Sequence, residues 1–568
     1  MEKKSKYTKY IDIAFAVFFV SVTALFIWKA PYGFHFFDEA NWIALSDRLL
    51  KGDALLYDDW TLTQITLVIL YPLVKLYHVF FAGNEGIILA FRYIFVFFHA
   101  LNTVLLYLLI RRRSPLAALG AVMLYFPYSH LYIEALSYYT MALDFLLLGC
   151  AMLVTAKHEK RELFFSGVLL ALAVLECPYF AVMYIAYFIA CLVCAVRKKE
   201  VHDLLRWRSF GRITAGCAVP VLILVLFVLS RVSAGELIRT LPYLLRDEAH
   251  SVGGHGGKLA EFIKDTVKSI DLAEILLFLP VILCAFDRKR KKLCTSALLA
   301  LTLGAIGKNF LSSRGQGMAL LSQKLMLPLS LAGLGAYAMC EKKDRELLFG
   351  LYIPGWVMGA CLYLASDVGY SVVSTPLTVC ACAGGWFLLE LTEECMADAR
   401  PAPKRCMAAL LAAVLLFQTG YELWYRKNFC FSEPAGPALM YCDIRYGIGK
   451  GEKTTEKVAV YEQDGLWAAT EKVRNAPGEY VLYFSDDCWP YLEDSKKCAS
   501  FAIWIQTGHA EAEAKRLLDY WKKFPEKRPD AIYVSKKADK VEKILETVNT
   551  ENFPVEENER GYEMVRPQ

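Results

Sequence analysis

The residues of this chain best suited to chemistry begin at Phe36-Phe37-Asp38-Glu39-Ala40-Asn41-Trp42 and continue at Asp58-Asp59-Trp60. Four carboxylates, Asp38, Glu39, Asp58 and Asp59, thus follow closely on the first long apolar run. Acidic groups set against a membrane span lose hydration, and residues that bear that cost usually serve a purpose. A carboxylate in this position can take a proton from an attacking hydroxyl or join other oxygens around a divalent ion. Asp38 also suits the N-cap of a helix starting near Ala40.

Composition shows what must position these groups. Of 568 residues, 56% are hydrophobic and only 21% charged, a balance foreign to soluble globular domains. The net charge of +5 is too small to suggest a nucleic-acid partner. Most of the 17 cysteines fall inside apolar runs, where they act as small hydrophobes, and no set of four Cys or His with zinc spacing appears. The first apolar run, residues 11–30, is too long for a signal-peptide core and ends in Trp28-Lys29-Ala30-Pro31, a poor cleavage site. It reads as a retained first transmembrane helix with a cytoplasmic N-terminus.

Basic clusters set the topology. They fall at Arg111-Arg112-Arg113, at 157–161, at 197–208, at 288–292, at 342–345 and at 400–405. Each lies where an alternating path returns to the cytoplasm, and the intervening turns at 127–139, 177–178, 231–270, 308–320 and 365–374 carry few cations for their length. The path that satisfies this pattern has about 13 spans. One of them, residues 163–176, is only about 21 Å long at ~1.5 Å per residue, and Pro178 breaks it short of the far surface. Residues 64–81 are apolar, but a crossing there would invert every later cluster, so they are expected to lie on the outer surface as a helix.

Two parts follow. Residues 1–425 form a transmembrane unit, with a first external region at 31–85 and a long external loop at 231–270 whose Gly253-Gly254-His255-Gly256-Gly257 reads as mobile. In the first region an amphipathic helix sets Trp42, Leu45 and Leu49 on one face and Arg48 and Lys51 elsewhere. Residues 426–568 turn polar and alternate strands (481–484, 531–534) with helices (510–522, 538–548), which predicts a small α/β domain with partly parallel strands outside the membrane. Asp486-Asp487 reads as a solvated loop, and Cys488 and Cys498 are spaced so that a disulfide is permitted but not required.

The order of these features resembles the GT-C glycosyltransferases that use polyprenyl-phosphate sugars, the group of the protein O-mannosyltransferases and the aminoarabinose transferases. The resemblance rests on Asp38-Glu39 after the first span, Gly83-Asn84-Glu85, Arg92, and the closing Arg111-Arg112-Arg113. It covers residues 10–200 and is topological beyond. The surface helix has Pro72 in place of the family's Pro-Pro, and the Glu85-to-Arg92 spacing is longer than usual.

The resemblance implies an integral plasma-membrane enzyme of glycan and cell-envelope biosynthesis. It would move a sugar, with inversion, from a polyprenyl-phosphate donor to a glycan, lipid or polymer acceptor on the outer face. Asp38 would be the base, supported by Glu39. It also implies a metal-free mechanism with no cofactor, although four carboxylates permit a divalent ion. Phosphate is a good leaving group, so one carboxylate suffices where glycosidases need two. Cations must then face the growing negative charge, and the outward candidates are Arg48, Lys51, Arg92, Lys308, Arg314 and Lys324, with Asp58 and Asp59 shaping the substrate site. Arg314 sits in the flexible turn Ser312-Ser313-Arg314-Gly315-Gln316-Gly317. His35, His130 and His250 read as interface or loop residues. Two other classes compete: a transporter or flippase, disfavoured by surface carboxylates and the lack of an internal repeat, and a catalytically degenerate scaffold of the same fold.

Overall fold

The computed structural model describes residues 2–565 apart from 35–37, 62–64, 156–159, 198–202, 246–253, 313–325, 366–368, 398, 431–435, 461–466, 486–487, 506–509, 536–539, 549–552 and 558–560. Among the described residues nine helices are long and apolar enough to cross a membrane: Tyr7–Lys29, Ile87–Arg111, Tyr138–Thr155, Pro178–Arg197, Trp207–Leu229, Arg288–Ser312, Arg345–Ala365, Ser374–Ala397 and Pro401–Asn428. Val17, Val20, Leu222, Leu226 and Leu416 point outward from them and are exposed. Such faces are stable only against hydrocarbon, and helices satisfy their own backbone there. The chain is a polytopic helical membrane protein.

The count is lower than the 13 spans expected from sequence. A bent pair, Gly257–Ser269 and Leu272–Phe286, meets at 77° and would make ten spans if it crosses as one. The remaining three expected crossings are the helices Pro115–Tyr125, Lys160–Glu176 and Leu327–Met339. At 11, 17 and 13 residues they reach about 16–26 Å at ~1.5 Å per residue, less than a ~30 Å hydrocarbon core. Charge alternation counts passages of the chain, whereas length decides whether a helix can span alone.

We label the elements that build the site α1 (Glu2–Lys29), α2 (Asp38–Leu50), α3 (Leu67–Phe80) and α4 (Ile87–Arg111). The bundle is tight where glycines let backbones meet. A Cβ added at Gly167 would lie 2.1 Å from the Ile213 carbonyl, and one at Gly216 2.0 Å from that of Phe164. The two ends of the bundle differ. At one, Arg111 holds Asp12 at 2.6 Å, Arg113 meets Asp344, and Lys291 meets Glu394, so several basic clusters gather at a common level. At the other lie α2, α3, the turn at 127–137 and the C-terminal domain.

α2 buries Trp42, Leu45 and Leu49, as its periodicity requires. α3 buries Leu67, Leu70, Val74 and Tyr77 and exposes Leu76, Val79 and Phe80, the amphipathic pattern of a helix lying at an interface. The helices Ala234–Leu244 and Gly254–Ser269 occupy much of the long external loop expected to be mobile.

In the C-terminal domain β1 (Cys442–Asp443) and β2 (Lys453–Thr454) form a short ribbon. A five-stranded sheet contains β3 (Tyr480–Phe484), β4 (Lys497–Cys498), β5 (Ala531–Ser535), β6 (Val555–Glu557) and β7 (Gly561–Val565) in the order β4-β3-β5-β7-β6. β3 runs parallel to β4 and β5, and β7 closes the other side antiparallel to β5 and β6. The helices Ala510–Lys523 and Val541–Val548 cover the sheet where the polar pattern placed them. Cys488 and Cys498 are free, buried thiols; the first faces Asn41 Oδ1 at 3.6 Å and the second Ser500 Oγ at 3.3 Å.

The domain docks on residues 31–86 through backbone pairing. Lys453 N donates to Pro31 O at 2.6 Å, Gly33 N to Lys453 O at 2.8 Å, Gly86 N to Gly447 O at 2.9 Å and Trp60 N to Phe501 O at 2.8 Å.

Candidate active site at the domain junction

α1 ends at Lys29, and the chain then runs alongside Lys453 before α2 starts at Asp38. Gly33 makes this passage at φ +87°, with Cys430 so near that an added Cβ would lie 3.0 Å from Cys430 Cβ. Glu39 follows in the first turn of α2, where the helix dipole favours an acid. Arg92, in the second turn of α4, grips it with two parallel bonds, Nε to Oε1 at 2.8 Å and Nη2 to Oε2 at 2.6 Å. The same guanidinium donates to the carbonyls of Ala30 (2.7 Å), Gly33 (2.7 Å) and Tyr32 (3.5 Å). Glu452 Oε1 stands 3.4 Å from Nη2. Burial pushes the Glu39 carboxyl up from its ordinary range, and Arg92 opposes that push.

The second half of the site comes from the turn at 127–137. Leu131 and Tyr132 both hold positive φ, 51° and 57°. Two successive side chains in that region cost about 1–2 kcal/mol each and persist only when their surroundings fix them. Here Tyr132 donates its hydroxyl to Glu422 at 2.7 Å, and Arg426, bonded to Pro127 O at 2.7 Å and to Ser129 Oγ, lies over the Phe26 ring at 4.0 Å. The outcome of this turn is the placement of Glu134. One of its oxygens receives Arg426 Nη1 at 3.3 Å, and the other, Oε2, has no hydrogen-bond partner among the described residues. Burial pushes the Glu134 carboxyl up to about 7, against the pull of Arg426, Arg92 and Lys29.

Glu39, Arg92 and Glu134 line both of two small pockets. The first continues over Trp42, Leu70 and Phe91. The second continues over Lys29, Tyr132 and Cys430. Trp42 Nε1 and Glu134 Oε2 are both buried without a hydrogen-bond partner among the described residues, and both side chains line the first pocket. Together the cavities combine carboxylates, a buried ammonium and apolar walls. Such a set can bind a polar group and exchange protons with it.

The sequence candidates distribute unevenly over this geometry. Asp38 opens α2 beside Glu39, and its side chain lies outside the described residues, as do Arg314, Lys324, His35, His250 and Asp486-Asp487. Arg92 is used differently from the substrate contact expected of it. A guanidinium has five N–H donors, and the five acceptors named above account for them. It positions Glu39.

Asp58 and Asp59 also have other work than shaping a substrate site. Asp58 accepts from Ala54 N at 2.6 Å and Lys527 Nζ at 2.8 Å, and Asp59 from Arg48 at 2.9 Å and Thr61 N at 2.9 Å. Arg48, expected to face outward, is buried against Asp53 at 2.5 Å, the Asp58 carbonyl, Ser500 O and Tyr520 Oη. Arg48 and Lys527 hold the Asp53 carboxyl below its ordinary range despite burial, while burial raises Asp59. This network fastens the C-terminal domain to the segment between α2 and α3. Lys51 belongs to the same junction, bonded to the carbonyls of Tyr491 and Asp494 at 2.8 and 2.6 Å.

Lys308 pairs with Asp271. His130 stacks on Tyr139 with ring centres 4.1 Å apart and shares a hydrogen bond with Thr375; burial pushes its imidazole down to about 3, so it is neutral.

Lys29, Glu134 and Arg426 were not among the sequence candidates. A lone acid in a turn almost free of cations was the one available signal for Glu134. Among the described residues no three His, Cys, Asp or Glu side chains converge as metal ligands would.

No protein-family model matches the chain, and no curated protein matches it.

Proposed function

We propose that the protein is an integral membrane glycosyltransferase of the GT-C kind. It takes a sugar from a polyprenyl phosphate at the outer face and transfers it, with inversion, to a glycan, lipid or polymer acceptor. The observation that carries this reading is the polar site where α1, α2 and α4 meet beneath the C-terminal domain, at the end of the bundle opposite the Arg111-to-Arg113 cluster. The positive-inside bias assigns that cluster to the cytoplasm and the site to the outside. In this reading the chain passes the membrane 13 times, its shorter helices crossing within the bundle.

Asp38 takes the proton of the acceptor hydroxyl as its oxygen attacks the anomeric carbon. The bond from that carbon to the phosphate oxygen breaks, and the polyprenyl phosphate leaves with the charge. Glu39, fixed by Arg92, supports Asp38 at the start of α2. The C-terminal domain helps to bind the acceptor. The test is to incubate the purified protein, in lipid nanodiscs, with radiolabelled polyprenyl-phosphate sugars and to score transfer and release of polyprenyl phosphate. Turnover of at least one donor, persisting in EDTA, is expected. Activity lost in EDTA and restored by Mg²⁺ or Mn²⁺ would replace the metal-free base by a metal site.

A further inference from the structure

Of the cations around the two cavities, Arg92 has no donor left and Arg426 is fully buried against Pro127, Ser129 and Glu134. Lys29 differs. It is only 5% exposed, it lines the second pocket, and its Nζ donates to Phe429 O at 2.7 Å and Cys430 Sγ at 2.6 Å. An ammonium has three N–H donors, so one remains without a partner among the described residues. Among those residues Lys29 also makes no ion pair. An ammonium whose hydrogen bonds go to a carbonyl and a thiol, with Glu134 attracting it only from beyond ion-pair distance, is an expensive buried arrangement that a closer anion relieves.

The position indicates which anion. Lys29 is the last residue of α1, at the level where a first span leaves hydrocarbon and lipid phosphates sit. Glu134 lines the same pocket; one of its oxygens is buried without a hydrogen-bond partner among the described residues, and burial raises its carboxyl to about 7. A protonated carboxyl donates to an oxyanion where a carboxylate would repel it.

We infer that Lys29 is the phosphate-contacting residue of this site, its free N–H meeting an oxyanion that enters the cavity bounded by Glu39 and Glu134. This rests on the glycosyltransferase reading and assigns its leaving group a cation that was not among the sequence candidates. The ligand is a phosphate ester; a lipid phosphate and a free phosphate share that chemistry.

The experiment measures binding of farnesyl phosphate, inorganic phosphate and farnesol to the full chain in nanodiscs, with wild type, K29M and K29R. The wild type should bind farnesyl phosphate well above farnesol and inorganic phosphate. K29M should lose roughly ten- to a hundredfold in farnesyl phosphate affinity, the range of one charge-assisted bond, with farnesol binding unchanged. K29R, which keeps the charge, should recover part of the loss. A second measurement needs no variant: reductive methylation of Lys29, read by peptide mass, should be blocked by farnesyl phosphate and not by farnesol. Equal binding by wild type and K29M, or equal methylation with and without farnesyl phosphate, overturns the inference and leaves the enzymatic reading standing. A wild type that binds farnesyl phosphate no better than farnesol overturns both. Tight binding of inorganic phosphate alone assigns the site to a free anion and overturns the lipid-phosphate assignment.

Discussion

Replacing Arg92 by Met tests whether this arginine positions Glu39 or serves a ligand. Both side chains are about 95% buried, at 5% and 4% exposure. Removing one partner of such a pair costs about 3–5 kcal/mol, because the other charge is stranded. The penalty has a limit, since the stranded Glu39 can take up a proton. That proton uptake costs more the further the pH lies above the ordinary carboxyl range. The carbonyls of Ala30 and Gly33 lose their donor as well, at about 1 kcal/mol each.

The sign follows from linkage. In R92M the folded pKa of Glu39 lies above its unfolded value, so the folded state holds more protons between the two. Stability is therefore lost as pH rises from about 4.5 through the raised folded pKa. R92M should be destabilised by about 3–5 kcal/mol at pH 7.5 and by less at pH 4.5. E39Q/R92M, with no charge left to strand, should recover about 2–3 kcal/mol relative to the sum of the single variants. The assay is denaturant unfolding in detergent micelles, followed by tryptophan fluorescence at both pH values. An R92M variant within 1 kcal/mol of wild type, or one whose deficit does not change with pH, would refute the positioning role.

Other consequences are as direct. Lys527 joins Asp53 and Asp58 at 2.6 and 2.8 Å, so K527A should cost about 2–4 kcal/mol and make the C-terminal domain more open to protease; unchanged digestion would remove that network from the docking of the domain. Infrared difference spectra should show protonated carboxylic C=O intensity with a component that disappears as pH rises through about 7 and is lost in E134Q; intensity unaffected by E134Q would assign that component elsewhere. Single cysteines at position 450 should react with an impermeant reagent in intact cells, and those at 111–113 only after permeabilisation; the opposite result would move the site to the cytoplasmic face.

Much of the frame was legible because it follows from local pattern. The Asp38-Glu39 helix start, the Trp42-Leu45-Leu49 face, the surface helix around Pro72 and the two parallel strands each rest on periodicity or capping within a few residues. The wiring of charges was not legible. Arg48 meets Ser500 and Lys527 meets Asp53 across more than 450 positions, and no local pattern distinguishes a cation that will be buried from one that faces out. Arg426 was missed for a related reason. The apolar run ends near Leu423, yet the helix continues to Asn428 because Glu134, Ser129 and the Phe26 ring accommodate the guanidinium. Glu134 itself depends on two residues at positive φ, which composition does not announce.

The central claim is that Asp38 is the base of a lipid-phosphate-dependent sugar transfer. Single-turnover transfer from a radiolabelled polyprenyl-phosphate sugar, in wild type and Asp38→Asn, tests it most directly. The substitution keeps the shape of the side chain and removes its basicity. The account predicts a loss of about 10²–10⁴-fold in rate with donor affinity unchanged. A wild-type rate in Asp38→Asn would contradict it.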